Sequence, residues 1–217
     1  IRGIRHKLDM LLQEEFQVML LQETDVQEIH VNALIAQARR AGKWLEFGEP
    51  TPLDEDGLVL GRRVAILSSY PLVQPTPGDT IDPHVDWLSA SGRWIERRIP
   101  VSDGNTQIIV ASIYGISGSS SSARKKPSNN KLFAAAFARI SSLQAIPYVL
   151  GADVNFNPST LVSALQAKER NIATDIFQDT LGSPPPPFCA SGIHQKMGGK
   201  GVTRIDTCFL NAAASQT

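Results

Sequence analysis

Tyr148-Val149-Leu150-Gly151-Ala152-Asp153-Val154-Asn155 decides how this chain is read. An apolar run closes on a small Gly-Ala step, and an Asp and an Asn follow two positions apart. Residues two apart on an extended chain face the same way. The carboxylate of Asp153 and the amide of Asn155 therefore project together from the end of a buried strand. One can take a proton from water and the other can hold a substrate, which suits hydrolysis. The same residue types also make ordinary turns, so the functional reading depends on partners from elsewhere in the chain.

Working outward, residues 131–144 carry Leu132, Phe133, Ala136, Phe137, Ile140 and Leu143 on one face, which predicts a helix leading into that strand. Residues 93–101 and 107–114 read as strands joined through Asp103-Gly104-Asn105, a hairpin signal. The second of them delivers Tyr114 to its end. Residues 118–122 and the basic Arg124-Lys125-Lys126 read as a flexible loop. Nearer the start, Ile1, Ile4, Leu8, Leu11 and Leu12 predict an amphipathic helix over 1–15. Residues 16–22 predict a strand ending at Glu23, and Thr24 and Gln27 resemble a capping box. A helix follows to about Ala41, with Gly42 just past its end. A short strand over 43–47, a loop over 48–61 and a strand over 63–68 come next. Residues 74–92 hold prolines and turn formers and read as a surface excursion. Within it Asp82, His84 and Asp86 alternate, and a polar loop is preferred to a metal site. Beyond the opening strand come a helix over 159–170, a stiff connector over 184–187 and a last strand over 202–210 carrying Asp206. This order predicts one α/β domain over 1–217, a sandwich with two mixed sheets in the centre and helices outside.

The chain has 217 residues, is 42% hydrophobic and carries a net charge of +0. That is enough for a real core, and it excludes a global field that would draw the chain to polyanions. Binding to nucleic acid would rest on local patches such as Arg62-Arg63, Arg97-Arg98 and Arg124-Lys125-Lys126. Two cysteines, Cys189 and Cys208, are too few for a disulfide scaffold and match no zinc spacing. Free, partly buried thiols suit a reducing compartment. No secretory signal or membrane-spanning run is visible, so the expectation is an intracellular protein, the nucleus included, with no membrane partner.

Polar groups thus stand at four strand ends: Glu23, Tyr114, the Asp153/Asn155 pair and Asp206. Carboxylates gathered in a partly buried cleft are disfavoured unless something positive joins them. A hard divalent cation with oxygen ligands meets that need. Each residue also has a plainer reading. Glu23 can serve the helix that follows it, Tyr114 can be a strand-end aromatic, and Asp206 can pair with Arg204.

Leu20-Leu21-Gln22-Glu23-Thr24, Arg63-Val64-Ala65-Ile66-Leu67-Ser68, Ala111-Ser112-Ile113-Tyr114-Gly115, Gly151-Ala152-Asp153-Val154-Asn155 and Arg204-Ile205-Asp206 occur in order over residues 4–210. Together they resemble the motifs of the endonuclease/exonuclease/phosphatase superfamily, which includes abasic-site endonucleases, deoxyribonuclease-like enzymes and retrotransposon endonuclease domains. The resemblance implies a four-layered α/β/β/α sandwich and a divalent-metal-dependent phosphodiester hydrolase, a nucleic-acid endonuclease of retroelement or repair type. It implies one Mg²⁺ (or Mn²⁺) per site, held by Glu23. It implies that Asp153 orients or deprotonates the attacking water, that Asn155 helps position the phosphate, that Tyr114 hydrogen-bonds it, and that Asp206 orients a histidine. Arg124, Lys125 and Lys126 would reach the backbone of the nucleic acid, with DNA expected. The family also has a strand with an Asn before the first helix and a Ser-Asp-His motif after the last strand. Neither is in this chain, so a domain with its terminal strands missing is expected, and Ser112 and Ser117 stand where the family often has Asn. His194 is read as a plain loop residue. Two alternatives stand beside this reading: an inactive remnant that binds nucleic acid or a protein, and a phosphatase acting on a small or lipid phosphoester.

Overall fold

The computed structural model describes residues 3–52, 61–74, 82–100, 107–143, 145–176 and 206–216. A 3₁₀ turn at Ile4–His6 leads into α1 (Leu8–Gln13), then β1 (Val18–Val26), α2 (Glu28–Arg40), β2 (Trp44–Phe47) and β3 (Arg62–Ser68). There follow α3 (Pro83–Ala90), β4 (Trp94–Pro100), β5 (Gln107–Tyr114), α4 (Lys125–Ser142), β6 (Tyr148–Asp153), α5 (Val162–Glu169), β7 (Thr174–Asp175) and β8 (Asp206–Leu210). One sheet has the order β1-β3-β2 and the other β4-β5-β6-β8-β7. Among the described residues, only β5 and β6 pair in parallel, with α4 as the crossover between them. A parallel pair needs a connection of that length.

Period-two alternation sorts the side chains into layers. On β3, Ala65 and Leu67 pack towards α1 and α2, whereas Val64 and Ile66 face the second sheet. On β5, Ile109, Ala111 and Ile113 pack under α4, whereas Val110 and Tyr114 face the first sheet. Three apolar layers result, and with them the four-layered sandwich of helices, sheet, sheet and helices. The two sheets approach closely where β1 crosses β6. A Cβ on Gly151 would lie 2.7 Å from Cβ of Leu20, so only glycine fits there.

Several elements differ from the sequence reading. The first helix is broken into a 3₁₀ turn and α1, because Gly3 and Lys7 cap separate segments. Thr24 is not an N-cap: it lies inside β1, fully buried, and its hydroxyl donates to the Arg62 carbonyl at 2.6 Å. Gln27 precedes α2 instead, and the first turn draws its negative charge from Glu28, which pairs with Arg62 at 2.9 Å. Within the 74–92 stretch, residues 83–90 form α3. Asp82 is its N-cap, accepting from the His84 amide at 2.9 Å, and Pro83 opens the helix. Asp82, His84 and Asp86 are thus parts of a helix start, not a metal site. The hairpin tip at 103–105, the connector at 184–187, Cys189 and His194 lie outside the described residues. Among those described, no helix is long and apolar enough to cross a membrane.

Burial holds protons on three groups of this fold. Tyr148, fully buried, is raised well above the ordinary tyrosine value by desolvation and by the Glu96 carboxylate. Tyr114 is raised as well, again chiefly by desolvation. The free thiol of Cys208 is pushed up to about 11 from 9.0 by burial and by Asp175. The folded chain therefore binds more protons than the unfolded one above pH 9, and stability falls with rising pH. Urea unfolding followed across pH should show a midpoint that stays level below that pH and drops as the pH passes through about 11.

Candidate active site

The site forms at the rim of the sandwich where β1, β5 and β6 end and β8 begins. On β1, alternation places Gln22 between the sheets: its amide donates to Ser112 Oγ at 2.8 Å and to the Gly151 carbonyl at 3.3 Å. Continued alternation would point Glu23 towards α2, on the side that Leu21 takes. A bulge prevents this. The β1–β3 register shifts between Gln22 and Val26, and Glu23 and Asp25 adopt φ of 56° and 49°. Such values are strained for non-glycine residues. The bulge turns the Glu23 carboxylate back to the second sheet, where Oε1 accepts the Tyr114 hydroxyl at 2.9 Å.

Tyr114 ends β5 with its ring almost wholly buried. Its hydroxyl also shares a hydrogen bond of 2.6 Å with Ser117 Oγ, so serine at 117 contacts the tyrosine directly. Two guanidinium groups flank the ring, Arg63 at 5.5 Å and Arg93 at 5.2 Å from its centroid. Arg63 lies 3.2 Å from Asp25, and Arg93 donates to the carbonyls of Tyr114 and Gly115 at 3.2 and 2.8 Å. Desolvation and the neighbouring charge of Arg63 lower the Arg93 pKa, while Tyr114 and Asp153 oppose that shift. Burial keeps the Tyr114 phenol protonated beyond the ordinary range, with Glu23 and Asp153 adding to the shift, so it remains a donor at neutral pH.

Asp153 ends β6 beside Tyr114 in the parallel register. Its Oδ1 accepts the Asn155 amide at 2.9 Å, and the Asn155 side chain donates to the Gly115 carbonyl at 3.1 Å. Asn155 holds φ at 51°, a left-handed value that asparagine tolerates better than most residues. Gly115 sits at the junction. Its amide donates to the Asp153 carbonyl at 2.7 Å, and a Cβ there would meet the Val154 carbonyl oxygen at 2.5 Å. Asp206 opens β8, and its backbone pairs in register with Asp153.

Glu23, Tyr114, Asp153 and Asn155 are therefore brought together, and the Asp206 backbone lies at the same rim. Arg124, Lys125 and Lys126 do not form a loop. Lys125 and Lys126 are the first residues of α4, with Arg124 before them, and Pro127 is tolerated in the first turn. Lys125 Nζ donates to the Ser117 carbonyl at 3.4 Å.

The sequence reading missed the residue that joins the two strand-end loops. Asn129, on α4 and 1% exposed, accepts the Ile116 amide at 2.8 Å and donates to the Val154 carbonyl at 2.9 Å. One side chain thus locks the loop after Tyr114 to the loop after Asp153. An asparagine at a helical position, three and four residues before the apolar Leu132 and Phe133, is poorly suited to helix. That mismatch was the available signal.

Among the described residues, no group of three or more His, Cys, Asp or Glu is placed to hold a metal. Magnesium needs only one or two carboxylates and keeps several waters. The hard oxygens of Glu23 and Asp153 meet that requirement.

Compared by sequence, the chain matches no family model and no curated protein. Solved structures match it over nearly its whole length. An AP endonuclease from Archaeoglobus fulgidus is 17% identical with a TM-score of 0.64, covering 97% of this chain and 84% of its own. The 3′ phosphatase NExo from Neisseria, bound to a product DNA hairpin, is 16% identical with a TM-score of 0.66, covering 98% and 84%. The human Nocturnin catalytic domain is 13% identical with a TM-score of 0.63, covering 94% and 73%. At such identities the likeness is one of fold, and the fold of this chain is that of the endonuclease/exonuclease/phosphatase proteins.

Proposed function

We propose that this chain is a divalent-metal-dependent phosphodiester hydrolase acting on nucleic acid, with DNA the first substrate to test. The observation that carries the reading is two hydrogen-bonded pairs at one rim, Glu23 with Tyr114 and Asp153 with Asn155, placed there by a bulge and by the left-handed residues Glu23, Asp25 and Asn155. Strained backbone that re-aims a carboxylate points to use rather than to stability. The AP endonuclease and the DNA-bound phosphatase among the similar folds support the choice of substrate class.

Glu23 and Asp153 would hold Mg²⁺ or Mn²⁺. When bound, the ion supplies Lewis-acid polarisation of the phosphoryl oxygen and neutralises its charge. The remaining work falls to the protein. Tyr114, kept protonated by burial, would shift its one hydroxyl hydrogen from Glu23 to a non-bridging oxygen of the substrate. Asp153 orients the attacking water and takes its proton. Asn155, fixed by its side-chain hydrogen bond to the Gly115 carbonyl, positions the phosphate. Arg93, pinned to two carbonyls, supplies fixed positive charge behind Tyr114 without rearrangement during reaction.

The test uses duplex oligonucleotides with an internal diester or a 3′-phosphate end, incubated with Mg²⁺ or with EDTA. Mg²⁺-dependent strand cleavage supports the diesterase. Release of inorganic phosphate without strand cleavage instead favours an end-trimming phosphatase, the activity named for the Neisseria protein. Loss of neither bond sinks both readings.

Asn129→Ala should leave the Ile116 amide and the Val154 carbonyl without their partner. We expect a stability loss of about 2 kcal/mol by urea unfolding. Cleavage should fall by about 10²-fold, as for a small misplacement of reacting groups. Equal rates for variant and wild type would remove Asn129 from any positioning role.

A further inference from the structure

Beside the candidate active site lies a cavity of about 240 Å³, bordered by Lys126, Asn130, Phe156, Thr160, Leu161 and Val162. It sits between the start of α4 and the segment that continues directly from Asn155. We propose that this cavity receives a nucleobase of the strand whose phosphodiester lies at Tyr114 and Asp153, a subsite that rests on the phosphodiesterase reading above.

Three observations converge on a base rather than a purely apolar guest. The first is the aromatic floor. Phe156 follows the catalytic loop, and its ring already presents a face to a cation, with Lys126 Nζ 5.1 Å from the centroid. A flat π system can take that face by stacking, and every base has one. The second is charge. Arg124, Lys125 and Lys126 stand in succession at the start of α4, and the first turn contains no acidic residue. The helix dipole places more positive charge at the same end. This arrangement is complementary to a phosphate chain running past it. The third is adjacency. Lys125 Nζ bonds the Ser117 carbonyl, and Ser117 Oγ bonds the Tyr114 hydroxyl, so the cationic rim and the phosphate-facing tyrosine meet through one residue. Val162, half exposed, continues the apolar wall to the cavity mouth. A base on Phe156 displaces the Lys126 ammonium, which then moves to the neighbouring phosphate.

The subsite is tested by fluorescence anisotropy in EDTA, where binding is read without cleavage. The probes are a short labelled thymidine oligonucleotide and the same backbone built wholly from abasic tetrahydrofuran units. Wild type should bind the base-bearing strand about tenfold more tightly than the abasic one. Phe156→Leu, which keeps apolar volume, should remove most of that difference. Val162→Gln at the exposed mouth should reduce it in the same direction, and serves if Phe156→Leu fails to fold by circular dichroism. Lys126→Met should lower the salt dependence of binding by about one counterion while the base preference survives. Equal affinity for the two strands overturns the proposal, as does a base preference that neither Phe156→Leu nor Val162→Gln changes. Phe156-dependent binding to anionic phospholipid vesicles, with no base preference, also overturns it in favour of a lipid phosphoester. Cleavage of the same oligonucleotide in Mg²⁺ is scored in parallel. Cleavage with base-indifferent binding removes the subsite and leaves the phosphodiesterase. Base-dependent binding without cleavage keeps the subsite and removes the phosphodiesterase.

Discussion

Changing Asp153 to Asn is expected to slow phosphodiester cleavage by about 10²–10⁴-fold, the range typical of losing a general base. The substitution is chosen for what it preserves. An amide oxygen can still accept the Asn155 backbone amide, which now bonds Oδ1 at 2.9 Å, so the turn should stay formed. The amide cannot take a proton from water, and it gives a cation a weaker ligand. Unfolding by urea should therefore change little while single-turnover cleavage nearly disappears. If Asp153 serves only as a turn former, Asp153→Asn will retain both stability and rate.

The largest effect on stability is expected away from the rim, at Glu96. This carboxylate is 3% exposed on β4. It accepts from Arg139 Nη2 at 2.8 Å and Nε at 3.2 Å, and from the Tyr148 hydroxyl at 2.7 Å. Arg139 is on α4 and Tyr148 on β6, so one acid pins the long crossover helix to two strands of its sheet. Glu96→Ala would strip a buried guanidinium of both its bonds to this carboxylate, while the contact to Asp82 is longer, at 3.8 Å. Breaking a buried pair on one side costs about 3–5 kcal/mol. Chemical denaturation of Glu96→Ala should show a loss of that size, and a loss under about 1 kcal/mol would mean that water reaches Arg139 freely. Because α4 also carries Asn129, loosening it should slow cleavage as well as lower stability.

Much of the candidate site could be read from the sequence because strand ends announce themselves. Tyr114 and Asp153 follow apolar runs and stop at small residues, and the structure places both at the same rim. Glu23 was expected there for a different reason. Its position comes from a bulge, and a bulge leaves no signature in a period-two pattern. Thr24 shows the same limit: a Thr three residues before Gln is a capping signal, yet here the strand runs on and buries the hydroxyl. Helix α3 was hidden by the turn formers around it, although Asp82-Pro83 is itself a helix start. The two residues of β7 are too few to show any period. Arg93 and Asn129 were not singled out for the site, and Arg63 was read only as part of a basic patch and of a strand motif. Each acts through contacts with elements distant in sequence, such as Asn129 with Val154 or Arg63 with the Tyr114 ring. No local pattern encodes those contacts.

The central claim is that the carboxylates at this rim support metal-dependent cleavage of a phosphodiester. Nicking of supercoiled plasmid tests it most directly, with wild type and Glu23→Gln assayed side by side in Mg²⁺ and in EDTA. Wild type should nick in Mg²⁺ and stop in EDTA, while Glu23→Gln, folded by circular dichroism, should require far more Mg²⁺ and nick slowly. Nicking that persists in EDTA, or that Glu23→Gln matches at every Mg²⁺ concentration, would contradict the claim.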